Sequence, residues 1–187
     1  MTVDDLISEI IEVKDFISGI TVSGGEVMLQ AEFLYQLFTA VKKHPELNKL
    51  SILVDSNGNT EQNKWDLLLD LVDGFMLDIK AYSPQNHNRI TGYANEKILK
   101  SIQYLNSENK LDEIRFVLVP GFNNDKAEIE NISNLMQSLS PEVRKVLIKL
   151  RKHGIRDKYH YLSEPTQQEI EQAVKILKAD KHQLIVI

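Results

Sequence analysis

The apolar residues of this 187-residue chain follow two alternating rhythms. Six short runs are nearly continuous in aliphatic and β-branched residues: Gly19–Ser23, Leu50–Asp55, Gly74–Ile79, Ile114–Val119, Val143–Leu150 and Leu184–Ile187. Unbroken runs of this length, without apolar–polar alternation, predict parallel strands covered by helices on at least one face and packed on the other. Between the runs, apolar residues recur at helical spacing: Leu34, Leu37, Phe38 and Val41; Trp65, Leu68, Leu69 and Val72; Ile129, Ile132, Leu135, Met136 and Leu139. Each stripe predicts a helix laid on the sheet. A last helix is announced by Pro165 and by Thr166 with Glu169 three residues on, a capping box, and Ile170, Ala173, Val174 and Leu177 supply its buried face. The repeat of strand and helix, without a low-complexity linker, predicts one α/β domain over residues 1–187. Both a barrel and an open doubly wound sheet fit that order, and both place their sites at the carboxyl ends of the strands.

Charge narrows the function classes. A net charge of −5 without a lysine run argues against coating nucleic acid or anionic membrane. No apolar run approaches the ~20 residues of a membrane span, and Met1-Thr2-Val3-Asp4-Asp5 is acidic where a secretory signal is basic, so the cytoplasm is the expected location. The chain contains no cysteine, which excludes disulfides and thiolate metal ligation by its own residues.

The strand ends carry the polar residues that matter. Ser23-Gly24-Gly25-Glu26 follows the first run, and paired glycines allow backbone conformations and close approach that a Cβ forbids. The second run ends in Asp55-Ser56-Asn57-Gly58, which also suits an ordinary Asx turn. In Met76-Leu77-Asp78-Ile79-Lys80, alternation sets Met76, Asp78 and Lys80 on one face, where Asp78 and Lys80 can simply pair. Arg115 shares a face with Val117 and Val119 and needs an anionic partner or a route to water. Leu150-Arg151-Lys152-His153-Gly154 ends the fifth run, and a lone histidine there is more often structural than functional. Taken together, Glu26, Asp55, Asp78, Lys80, Arg115 and His153 converge on one mouth. No serine–histidine–acid motif, phosphate loop or helical zinc-binding histidine pair accompanies them.

The segments Gly19-Ile20-Thr21-Val22-Ser23-Gly24-Gly25-Glu26, Val54-Asp55-Ser56-Asn57-Gly58, Met76-Leu77-Asp78-Ile79-Lys80 and Arg115-Phe116-Val117-Leu118-Val119-Pro120-Gly121 together resemble the radical-SAM activating enzymes of glycyl-radical enzymes. The resemblance spans almost the whole chain and implies an incomplete (β/α)6 barrel lacking its first strand, with Met1 through Lys14 as the first barrel helix. It implies that Gly24, Gly25 and Glu26 bind the amino end of S-adenosylmethionine, that Lys80 and Arg115 engage its polar portion, with Asp78 beside them, that Val117 and Leu150 line the adenine, and that His153 lies near the adenosine. It also implies a monovalent-cation site from Asp55, Ser56, the Met76 carbonyl and Asp78, all oxygen donors of the kind hard cations prefer. In the family, cysteines of a CxxxCxxC motif, upstream of the first residue here, hold a 4Fe-4S cluster. An electron donor reduces it, S-adenosylmethionine is cleaved to a 5′-deoxyadenosyl radical, and a glycine of the partner enzyme loses a hydrogen atom. Without those cysteines this chain is expected to be inactive alone. Two rival readings are a cluster-free barrel lyase or isomerase using Lys80 as a Schiff base, and a noncatalytic binding scaffold.

Overall fold

A computed structural model describes residues 1–152, 159, 161–177 and 184–187. In chain order the elements are α1 (Val3–Val13), β1 (Gly19–Val22), α2 (Ala31–Lys43), β2 (Ser51–Ser56), α3 (Gln62–Asp66), β3 (Gly74–Ile79), α4 (Pro84–Thr91), α5 (Glu96–Ser107), β4 (Leu111–Leu118), α6 (Lys126–Gln137), β5 (Arg144–Lys149), α7 (Gln167–Leu177) and β6 (Leu184–Val186). All six strands are parallel and lie in sequence order, β1 to β6. Parallel neighbours in sequence order need helical crossovers, and α2, α5, α6 and α7 lay their apolar stripes in the core on one face of the sheet. The result is an open partial barrel with β1 and β6 at its margins: the strand pattern left a barrel and a doubly wound sheet open, and the observed order is the incomplete barrel that the family resemblance implied.

One face of the sheet is the core. Ile52, Val54, Phe75, Leu77, Ile79, Ile114, Phe116, Leu118 and Leu147 alternate into it and meet the helical stripes of Leu34, Leu37, Phe38, Ile102, Leu105, Ile129 and Ile132. Trp65 stands edge-on to Phe75, with ring centroids 5.0 Å apart, and its indole N–H donates to Ser101 Oγ at 3.0 Å, which fastens α3 to α5. The predicted Trp65-to-Val72 helix is shorter than its stripe. It ends at Asp66, and Leu68 and Val72 reach the core from the turn that follows. The Thr166–Glu169 capping box forms as read: the Thr166 amide donates to Glu169 at 2.8 Å and the Glu169 amide to Thr166 Oγ1 at 3.3 Å.

β4 begins three residues before the predicted Ile114, and its register with β3 slips between Phe75 and Met76, so that Leu111 and Glu113 pair with consecutive residues and Asp112 is left over. Gly74 makes this bulge feasible, since a Cβ there would come within 2.7 Å of Asp112 Cβ. The bulge sets Glu113, Arg115 and Val117 on the inner face, opposite the helices. Among the described residues no helix is long and apolar enough to cross a membrane.

Candidate functional site

The inner face is charged where the outer one is apolar. Asp55 pairs in register with Met76, and Asp78 with Arg115, so strand alternation lines up these side chains with Lys80 on one surface near the carboxyl ends of β2, β3 and β4. Arg115 is the centre of this group. Its Nε donates to Asp78 Oδ1 at 2.8 Å, its Nη1 to Asp55 Oδ2 at 3.1 Å, and its Nη2 to Asp55 Oδ1. Lys80 Nζ donates to the other Asp78 oxygen at 2.7 Å, and Ser23 Oγ lies 3.4 Å from Asp55 Oδ2. Burial works against the Arg115 charge, but the bonds to Asp55 and the fields of Asp78, Asp55 and Glu113 outweigh it and raise its pKa above the ordinary value. Two carboxylates and two cations balance. The ammonium and guanidinium keep unspent N–H donors, so a ligand carboxylate can still be received.

Beside this network, the turn after β1 turns left-handed. Gly24 and Gly25 have φ of +113° and +52°, and an added Cβ would meet nothing within 4 Å at either position. The glycines are therefore required by backbone conformation, and the space above them is open to a ligand. Glu26 faces the protein: its carboxylate accepts from the Met28 amide (3.0 Å), Ser56 Oγ (2.7 Å) and the Asn57 amide (2.9 Å), tying the glycine turn to the end of β2. Most of the Glu26 carboxylate is committed to the protein, with one bond on Oε2 and two on Oε1.

Of the other sequence-predicted residues, Val117 is half-buried on the inner face two positions beyond Arg115, and Leu150 is half-buried just past β5. His153 lies outside the described residues. The four predicted cation ligands are not equivalent. Asp55 and Asp78 share the Arg115 guanidinium between them, whereas Ser56 points to the opposite side of β2, where its hydroxyl donates to Glu26 and accepts from the Gly58 amide at 3.1 Å. Among the described residues no cluster of three or more acidic or imidazole side chains is arranged to hold a metal.

Several polar residues that hold the site were not read from the sequence. Glu113 is buried under Arg115, and burial pushes its carboxyl pKa up against the pull of Arg144, 2.8 Å away, and of Arg115. Asn95, Asn123 and Glu128 are buried around the turn that follows Lys80. That turn borders a cleft of about 290 Å³ lined by Asn57, Asn59, Asp78, Lys80, His87, Thr91, Tyr93 and Ile98. A roomier groove of about 470 Å³ lies between α6 and α7 and shares no residue with the strand-end network. Buried polar residues whose partners are main-chain atoms leave no periodic mark. The one sequence cue was their turn context, as in Pro120-Gly121-Phe122-Asn123.

The strand-end arrangement has a zwitterion's requirements: donors for a carboxylate, open backbone for an ammonium and an apolar wall at Val117. S-adenosylmethionine has these features, and the residues present fit it. A 4Fe-4S cluster is another matter, because the chain has no thiolate to hold one.

The family model of the Radical SAM superfamily matches residues 1–136, a span that includes the glycine turn, Asp55, Asp78, Lys80, Arg115 and Val117 but not Leu150 or His153. The pyruvate formate-lyase-activating enzyme of Streptococcus mutans is 30% identical over 195 residues, covering 97% of this chain and 74% of that enzyme. The pyruvate formate-lyase 1-activating enzyme of Escherichia coli is 35% identical over 131 residues, which are 67% of this chain and 52% of that enzyme. In fold, the chain matches a crystallised domain of pyruvate-formate lyase-activating enzyme from Bacteroides vulgatus with a TM-score of 0.74 at 23% identity, over 91% of this chain and 99% of that domain. A family match over more than half the chain, together with strand-end chemistry suited to its ligand, places this chain in the radical SAM superfamily, as a relative of the pyruvate formate-lyase-activating enzymes.

Proposed function

We propose that this chain is the S-adenosylmethionine-binding part of a glycyl-radical-enzyme activase, and that by itself it binds the cofactor without turning it over. One observation carries the reading: Asp55, Arg115, Asp78 and Lys80 form a continuous charge network at the ends of three adjacent strands, next to a glycine turn with two left-handed residues. The open main chain of Gly24, Gly25 and Glu26 receives the ligand's amino group. Lys80 and Arg115 receive its carboxylate through the donors they do not spend on Asp55 and Asp78. Val117 and Leu150 give the adenine an apolar wall. In the complete activity the partner is a glycyl-radical enzyme whose glycine loses a hydrogen atom, with an electron donor supplying the reducing equivalent. This chain contributes binding and orientation to that activity, and it offers no cysteine ligand for a 4Fe-4S cluster.

The Schiff-base reading of Lys80 loses support. Its nitrogen is tied at 2.7 Å to Asp78 in an ion pair on the inner face, and it would have to leave that pair to reach a carbonyl carbon. Calorimetric titration with S-adenosylmethionine tests the proposal. Unmodified protein should bind measurably, and both Lys80→Ala and Gly25→Val should lose binding, the second because valine resists a φ near +52°. Binding that survives both changes would place the ligand elsewhere.

A further inference from the structure

Asn123 lies in the loop between β4 and α6 and is fully buried. A carboxamide is costly to bury unless its polar atoms find partners, and Asn123 finds three. Its Oδ1 accepts from the Val119 amide at 2.7 Å, and its Nδ2 donates to the Lys80 carbonyl at 2.6 Å and to the Val117 carbonyl at 2.7 Å. The ladder between β3 and β4 ends at the pair Ile79 and Phe116, so Lys80 and Val117 are the next residues in register, at the point where β3 leaves the sheet. One buried side chain thus replaces the missing rung and fixes how far apart these two residues stand.

The turn after Lys80 is held separately. Asn95 Nδ2 donates to the Ala81 and Tyr82 carbonyls at 3.1 and 2.7 Å, and the Glu128 carboxylate accepts from the Tyr82 and Ser83 amides. Of these buried groups, Asn123 alone bonds the main chain of both Lys80 and Val117. Those two residues do different work in the reading above, which this step rests on: Lys80 meets the charged end of the ligand and Val117 its adenine.

We propose that Asn123 is a positioning residue that sets the distance between the charged and apolar halves of the S-adenosylmethionine site. A ligand spanning both halves gains affinity because its second end binds at a high effective concentration, and that gain depends on the spacing being right. Changing Asn123 removes the spacing while leaving each half intact.

The test uses the 187-residue chain and three ligands: S-adenosylmethionine, adenosine and methionine, titrated by NMR and calorimetry below the unfolding range. Asn123→Ser should weaken S-adenosylmethionine about tenfold while adenosine and methionine stay within about twofold of the unmodified chain. Asn95→Ala, which loosens the neighbouring turn but not the β3–β4 rung, should keep the full affinity. Where serine leaves the chain unfolded, Asn123→Gln keeps an amide but moves it out by one methylene, and the same split is expected. Unchanged S-adenosylmethionine affinity in the Asn123 variants, equal weakening of the fragments, or equal loss in Asn95→Ala each overturns the proposal while the binding reading stands. No binding by the unmodified chain defeats that reading and the positioning role with it.

Discussion

The guanidinium of Arg115 is shared by carboxylates from two other strands, with its side chain 15% exposed and those of Asp55 and Asp78 24% and 25% exposed. At this depth the pairs are partly screened, so the bonds count for less than in a dry interior but more than at the surface. Arg115→Met leaves Asp55 and Asp78 facing the same space with Lys80 as the remaining close cation, and should cost about 2 kcal/mol in urea unfolding. Adding Asp55→Asn to that variant should recover part of the loss, since one unpaired charge is then removed. An additive double variant would mean that the pair is not coupled. A second residue-scale effect comes from His87, which is buried behind Lys80. Burial lowers its pKa, Lys80 lowers it further, and the Ala81 carbonyl, Glu96 and Glu128 oppose the shift. The unfolded chain therefore takes up a proton at a higher pH than the folded one. Stability from this group is full above the unfolded value near about 6.5 and falls as pH drops through it toward the folded value. Thermal midpoints measured from about pH 7.5 down to about pH 5.5 should decline more in the unmodified chain than in His87→Gln. Parallel curves would exclude His87 as the source.

At the scale of elements, α4 shows what pattern reading sees and what it misses. Its sequence, Pro84-Gln85-Asn86-His87-Asn88-Arg89-Ile90-Thr91, has no apolar stripe, and the residue it buries is His87. The helix is specified by its ends: Ser83 caps it, Pro84 presets its first turn, and Gly92 closes it in the left-handed conformation. Glu128, reaching across from α6, accepts the Tyr82 and Ser83 amides and the Asn86 carboxamide, the last at 3.0 Å. Glu128→Ala leaves those donors without partners in a buried place and should lower stability by about 2–3 kcal/mol, with no change in the denaturant slope if folding stays two-state. Glu128→Gln, which keeps an acceptor, should lose less. The strands were legible because their core-facing positions are aliphatic and the inner face keeps Leu53, Met76, Val117, Val146 and Ile148 among its charges, which makes the runs nearly unbroken; their spatial order came from the resemblance, not from the pattern. The start of β4 was hidden by Asp112 and Glu113, charges that a bulge and Arg144 accommodate. Strand alternation placed Asp78, Lys80 and Arg115 on one face. It did not find Asn95, Asn123 or Glu128, because their partners are main-chain atoms 13 to 46 residues away or in a loop without a repeat.

For the molecule as a whole, the open margins of the sheet matter as much as its centre. β1 is four residues long and pairs on one side with β2. Phe16 is 88% and Leu29 74% exposed in the segments flanking it, so an unsatisfied backbone edge lies among bare apolar side chains. α1 packs on α2, Lys14 just past its end reaches Glu46 in the turn after α2 at 2.8 Å, and none of the residues of α1 is fully buried. A free parallel edge of this kind recruits another strand. The Ser18 carbonyl accepts from the Ser51 amide at 3.1 Å, and backbone groups of successive strand residues point to alternate sides, so the Thr21 N–H faces outward from β2. Proline at position 21 removes that outward donor without taking a rung from the β1–β2 ladder. This chain, studied alone, should therefore show concentration-dependent self-association in light scattering, and Thr21→Pro should reduce it while the circular dichroism spectrum stays the same. If the unmodified chain remains a monomer up to high concentration, β1 is not an adhesive edge. The short strand and its twist would then be enough to protect it.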